Sequence, residues 1–192
     1  MARAASLSCE ARSITQPAVT PPSEPAAAAR TPHLFWEDFP VGQVREFGAY
    51  RVTREAVLAF AREFDPQPFH LDDAAAEASL FGRLAASGWH TCAIAMRMMC
   101  DGYLLDSASL GSPGVEKLSW LKPVYPGDTL RIRLEVLESR PLASRPGVGM
   151  IRSHWDVMNQ AGETVLSMEG FGMFRRRSAA ASRDDISPAP VT

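Results

Sequence analysis

The chain has 192 residues, 46% of them hydrophobic and 22% charged, the make-up of one globular domain with a sizeable core. Its 20 Lys plus Arg against 22 Asp plus Glu leave a net charge of −2, which argues against nucleic acid or another polyanion as partner. Cys9, Cys92 and Cys100 form no CxxC pair and leave an odd count, so neither a zinc knuckle nor a disulfide framework is indicated; a reducing, cytoplasmic setting fits. No apolar run reaches the ~20 residues that a membrane span requires.

The first stretch, Met1 to Thr20, is rich in Ala, Ser and Arg, and reads as a disordered or over-extended N-terminus rather than a transit peptide. QPAVTPPSEPAAAARTP follows, too rich in Pro and Ala to pack, and SAAASRDDISPAPVT from Ser178 repeats that character. Residues 1–33 and 178–192 are therefore expected to be disordered tails around a domain at 34–177.

Within the domain, Arg45 to Val52 reads as a strand. Thr53 then caps a helix whose Val57, Leu58, Phe60, Ala61 and Phe64 are spaced for one buried face. Regular helix is excluded from DPQPFH, Asp65 to His70, because Pro66 and Pro68 remove backbone donors and push their predecessors toward extended geometry. Leu71-Asp72-Asp73 starts a short second helix, AAAEAS, which stops near Phe81-Gly82.

Ser87 is the predicted N-cap of the most apolar helix, Gly88 to Leu105. Trp89, Cys92, Ala93, Met96, Met99, Cys100, Tyr103 and Leu104 form the predicted stripe, and Arg97 and Asp101 are its central charges. So apolar a helix is expected to be enclosed by other structure. The period then becomes strand-like. Val115 to Leu121 is a first, weaker strand, ended by Pro123 and the Pro126-Gly127 turn. Leu130, Ile132, Leu134 and Val136 alternate with charges, as do Ile151, Ser153, Trp155 and Val157. Thr164 to Phe174 is the last strand, and Arg175, Arg176 and Arg177 read as its solvated end. The order of elements predicts an α+β fold: a long helix on one face of an antiparallel sheet, for which the hotdog is the best-known solution.

Asp65 and His70 stand five positions apart on the proline-stiffened loop, where both side chains can converge on one small volume. Two groups able to exchange protons around one trapped water suit addition of water across a polarised double bond. On spacing alone, a capping Asp and an exposed loop His are the commoner explanation.

FDPQPFHLDDAAAEA resembles the signature of the MaoC-like dehydratases, the family that includes the R-specific enoyl-CoA hydratases: Asp, any residue, Asn, Pro, an aliphatic residue and His, with a small residue six positions later. Asp65, Pro68, His70 and Ala76 match it. FGRLAASGWHT resembles the family's approach to the central helix and LSWLKPVYPGDTL its strand-turn-strand, so the likeness spans most of Phe35 to Phe174. Two departures are Phe64, where a Gly commonly precedes the Asp, and Gln67 in place of Asn. In some members a Ser lies two turns into the central helix, a place read here as Met96.

The resemblance implies a hotdog fold, Asp65 and His70 as the catalytic pair, and reversible hydration of a trans-2-enoyl-CoA to an (R)-3-hydroxyacyl-CoA in fatty acid metabolism. No cofactor is implied beyond the CoA of the substrate, and no metal: His70 with Asp72 or Asp73 is not accompanied by an HExxH or comparable set. Gly88 is the implied thioester-carbonyl site, since helix N-termini offer unpaired N–H groups and a positive dipole end. Arg83, Trp89 and Met96 are the candidate substrate-binding residues, Arg83 and Lys122 for CoA phosphate. Core is the ordinary place for Trp89 on such a helix, and His90 is expected to be a satisfied helix histidine. The rivals are a thioesterase, whose carboxylate usually sits on the central helix where only Asp101 is offered, and a non-catalytic acyl-CoA-binding subunit. Hotdog domains generally pair, so at least a homodimer is expected.

Overall fold

The computed structural model describes residues 31–177; the expected tails lie outside these, except residues 31–33. The His33 N–H already donates to Asp106 O at 3.0 Å, so backbone pairing begins one residue before the expected boundary. Strand β1 (Val44–Arg51) leads into α1 (Arg54–Phe64), capped by Thr53, whose Oγ1 accepts from Ala56 N. A short α2 (Asp73–Glu77) is capped in the same way by Asp72. The chain continues through α3 (Gly88–Met99), β2 (Val115–Trp120), β3 (Thr129–Leu142), β4 (Arg145–Met158) and β5 (Thr164–Arg175).

All strand pairs are antiparallel and form one sheet in the order β1-β3-β4-β5-β2. The alternation read from β3 and β4 places Leu130, Ile132, Leu134, Val136, Ile151, Ser153, Trp155 and Val157 on the buried face. Helix α3 contributes Ile94, Ala95, Met98 and Met99 to the same core. A sheet laid around one long helix is the hotdog arrangement. Burying the helix's apolar side against the sheet's apolar face is the main favourable term available to a domain of this size.

Three expectations are corrected. First, α3 rolls away from part of the predicted stripe: Met99 and Tyr103 are buried and Cys92 and Leu104 pack against the core, but Trp89, Ala93 and Met96 face outward while His90, Thr91, Ile94, Ala95 and Met98 face inward. A helix apolar all round has no pattern to orient it, so the sheet's shape decides. The helix also changes pitch, running as a π-turn from Cys100 to Leu104 where Gly102 lies against the Phe47 ring. Second, α1 buries Val57 and Ala61, but Phe64 is 65% exposed at its end. Third, Arg176 and Arg177 are not merely solvated. Arg177 binds Asp38 at 2.7 Å, and Arg176 lies over the Trp36 ring, fastening a 3-10 turn (Trp36–Asp38) to the end of β5.

Candidate active site

The two prolines shape the site loop. Helix α1 stops at Phe64, and Asp65, its C-cap, still donates its N–H to Ala61 O. Pro68 then opens a 3-10 turn, Pro68–His70, in which the His70 N–H donates to Gln67 O at 2.9 Å. The chain thus folds back within a few residues. Asp65 Oδ2 and His70 Nε2 come within 3.6 Å of each other.

His70 is 4% exposed, with its ring packed edge-on against Phe69 and tilted on Phe81. Its Nδ1 lies 2.8 Å from the carbonyl oxygen of Ala85. A carbonyl only accepts, so Nδ1 carries a proton, and Nε2 is the ring nitrogen left facing Asp65. The Asp65 carboxylate accepts from Gln67 Nε2 at 2.7 Å through Oδ1 and from Ser87 Oγ at 2.6 Å through Oδ2. Burial pushes this carboxyl up, but the Ser87 and Gln67 hydrogen bonds and the His70 charge together hold it below the ordinary carboxylate range. A carboxylate held in its anionic form and an imidazole nitrogen therefore face one gap.

That gap opens into a cleft of about 440 Å³ whose walls include Phe69, Phe81, Trp89, Trp120 and Val124. Its floor is the start of α3. Ser87 Oγ caps the helix by accepting from Trp89 N at 3.2 Å, and Gly88, the first helical residue, keeps an N–H without an intrahelical acceptor. The Trp120 indole lies on Gly88, where a Cβ would stand 2.6 Å from Trp120 Cε2, and its Nε1 donates to Gly88 O at 2.9 Å. An acceptor oxygen placed at this helix end would meet an N–H without an intrahelical acceptor and the positive end of the dipole.

The predicted site residues separate accordingly. Asp65, His70, Gly88 and Trp89 line one cleft. Trp89 is 60% exposed there, edge-to-face with Trp120 at 5.3 Å, and is not core. Met96 is 51% exposed on the outer side of α3 and lies outside the cleft, as does Arg83, whose guanidinium stacks 3.8 Å over the Tyr125 ring. Lys122 does line the cleft and pairs with Glu163. His90 is buried on the Phe60 ring with no partner for its Nδ1, so it is not the satisfied histidine expected; burial pushes its pKa down.

Asp72 caps α2 and Asp73 binds Arg54, which accounts for both acids beside His70. Among the described residues no group of three or more His, Cys, Asp or Glu is placed to hold a metal. Sequence reasoning missed the contribution of Ser87 to Asp65, the Ala85 carbonyl, and Trp120. Local patterns carry no signal for bonds that reach across 15, 22 or 32 positions. Gln67 was legible only as a departure from the motif; its longer side chain folds back onto Asp65.

The family model of the MaoC like domain matches residues 38–152. A crystal structure of a MaoC-like dehydratase from Rhodospirillum rubrum is 46% identical over 74% of this chain and 98% of its own, with a TM-score of 0.68. R-hydratase PhaJ1 from Pseudomonas aeruginosa, 24% identical over 83% of this chain and 97% of its own, shares the fold with a TM-score of 0.59. Mesaconyl-CoA hydratase from Cereibacter sphaeroides is 42% identical over 73 residues, which are 38% of this chain and only 20% of that protein. With the motif, the sheet and the helix in agreement, the chain belongs to the MaoC-like dehydratase family.

Proposed function

We propose that the chain is a hydro-lyase that reversibly hydrates a trans-2-enoyl-CoA to an (R)-3-hydroxyacyl-CoA. One observation carries the reading: the Asp65 carboxylate and His70 Nε2, 3.6 Å apart, face a cleft floored by the N-terminus of α3. The thioester oxygen accepts from the Gly88 N–H and takes up the enolate-like charge that develops. A water held between Asp65 and His70 forms its C–O bond at Cβ. The pair together takes one proton from that water and delivers one to Cα on the same face. The thioester itself is the electron sink, so the reaction calls for no further cofactor. Trp89 and Trp120 supply flat apolar walls for the acyl-pantetheine arm.

The thioesterase alternative is disfavoured by Asp101. It sits in the π-turn beyond Met99, exposed and paired with Arg97 at 2.8 Å, more than three turns from Gly88. We further propose a homodimer in a cytoplasmic setting. β1 and β2 are the sheet's outer strands, and Trp89, Trp120 and Leu121 expose apolar surface at the end of β2. Among the described residues no helix is long and apolar enough to cross a membrane.

Incubation with crotonyl-CoA tests the reading. Loss of the conjugated thioester absorbance without free CoA is the expected result. CoA release makes it a thioesterase, and inertness toward a panel of enoyl-CoAs makes it a binding subunit. Light scattering that returns 20.9 kDa at micromolar concentration removes the dimer.

A further inference from the structure

Both members of the reactive pair are fastened to one short stretch of chain. His70 Nδ1 donates to Ala85 O, and Asp65 Oδ2 accepts from Ser87 Oγ. Leu84, Ala85, Ala86 and Ser87 are all buried, and the Ala86 N–H donates to Val124 O at 2.8 Å, which fixes this stretch to the loop before β3. The other bond to Asp65 comes from Gln67, two residues along the same loop. A local bond of that kind stiffens the loop but does not set its distance from α3. Ser87 does.

A hydroxyl has one proton and two lone pairs. In Ser87 the proton goes to Asp65 Oδ2 at 2.6 Å, and a lone pair takes the Trp89 N–H at 3.2 Å. The residue is 1% exposed, so bulk water does not compete for either bond. We propose that Ser87 is a positioning residue: its single hydroxyl aims the Asp65 carboxylate at the reacting water and, through the same oxygen, registers it to the helix end where Gly88 stands. The inference rests on the hydratase reading of the cleft. It adds that the spacing between the proton-transfer pair and the carbonyl site is set by Ser87 rather than by the DPQPFH loop alone.

The bond has an electrical consequence as well as a geometric one. A hydroxyl donor stabilises the carboxylate over the acid, so removing it moves Asp65 protonation to higher pH. A residue that only capped the helix has no such effect. Glycine is nearly as good an N-cap as serine. Ser87→Gly therefore removes the donor to Asp65 while sparing most of the cap, and Ser87→Thr keeps both functions.

The test measures kcat and KM against pH with crotonyl-CoA for the full chain and for Ser87→Ala, Ser87→Gly and Ser87→Thr. Thermal melts and the ¹³C carboxyl titration of Asp65 accompany the assays. Loss of a hydrogen bond to a charged group predicts a fall in kcat of roughly 10- to 100-fold in the Ala and Gly variants. Their KM should change far less, and their acid limb should move upward. Ser87→Thr should stay near the parent. Parent-like kcat and an unmoved acid limb in Ser87→Gly, with loss confined to Ser87→Ala, would show a cap and nothing more. If the parent hydrates no enoyl-CoA, the hydratase reading falls, and the ¹³C titration still decides: an upward move of Asp65 in Ser87→Gly supports the contact, and no move overturns it.

Discussion

The two ends of α3 do different work with similar raw material. At the N-terminal end, Ser87, Gly88 and Trp89 line a cleft, and hydrogen bonds hold the neighbouring Asp65 carboxyl below its ordinary range. At the other end, Met98, Met99 and Tyr103 are sealed among core residues. Tyr103 lies between Phe39 and Phe47, and burial pushes its phenol up to about 12. Donors and a helix dipole favour charge at one end, and desolvation suppresses it at the other. Damage at the first end should therefore cost turnover, and damage at the second should cost stability.

The pair itself should show the largest effect. Asp65→Asn or His70→Gln should lower turnover by about two orders of magnitude or more. The double variant should be little worse than the poorer single, because the two groups act as a unit. Thermal melts should show a folded protein throughout. A well-folded single variant with parent activity breaks the site assignment.

The converse experiment is Met98→Ala, which empties a buried position against β1 and should destabilise the domain by ~2–5 kcal/mol in denaturant titration. Turnover per folded molecule should stay within a small factor of the parent. A large catalytic loss at parent stability would erase the division between the two ends.

Two glycines sharpen the contrast. A Cβ at Gly88 would meet the Trp120 ring at 2.6 Å, and one at Gly102 would meet the Phe47 ring at 2.5 Å. Trp120 is about half exposed and can give way toward solvent at the cost of its Nε1 bond to Gly88 O, so Gly88→Ala should melt near the parent but lose activity as the cleft wall moves. Phe47 packs on Tyr103 and has less freedom, so Gly102→Ala should lower the melting temperature, with overpacking costs of ~1–3 kcal/mol.

His90 should give the smallest effect, visible only against pH. Its pKa is lowered in the folded state by burial, so the unfolded chain binds a proton first as pH falls. Stability should therefore decline from about pH 6.5 downward through the folded-state value, and be unaffected by His90 well above that. Asp65 has the other acid-side signature. Its lowered pKa adds stability above about pH 4 that is lost only as pH falls through the folded value. His90→Gln should flatten the first decline in melting temperature and leave the second in place.

How legible the molecule was depends on the range over which each feature is encoded. Period and punctuation are local. The caps at Thr53 and Ser87, the break at Pro66 and Pro68, and the alternation along β3 and β4 were readable because neighbouring residues enforce them. The place of Asp65 and His70 on one tight loop was readable for the same reason. The roll of α3 was not: with apolar residues on nearly every side, its own pattern does not choose an inward face, and the curved sheet chose for it. That choice put Trp89 in the cleft and left Met96 outside. The Ser87 bond to Asp65, the Ala85 carbonyl on His70 and the Trp120 indole on Gly88 depend on where separate elements come to rest. The sequence by itself thus determined the elements and the placing of Asp65 and His70 on one tight loop. Tertiary packing decided which groups surround that pair, because hydrogen bonds across the fold exist only once the core has set the distances.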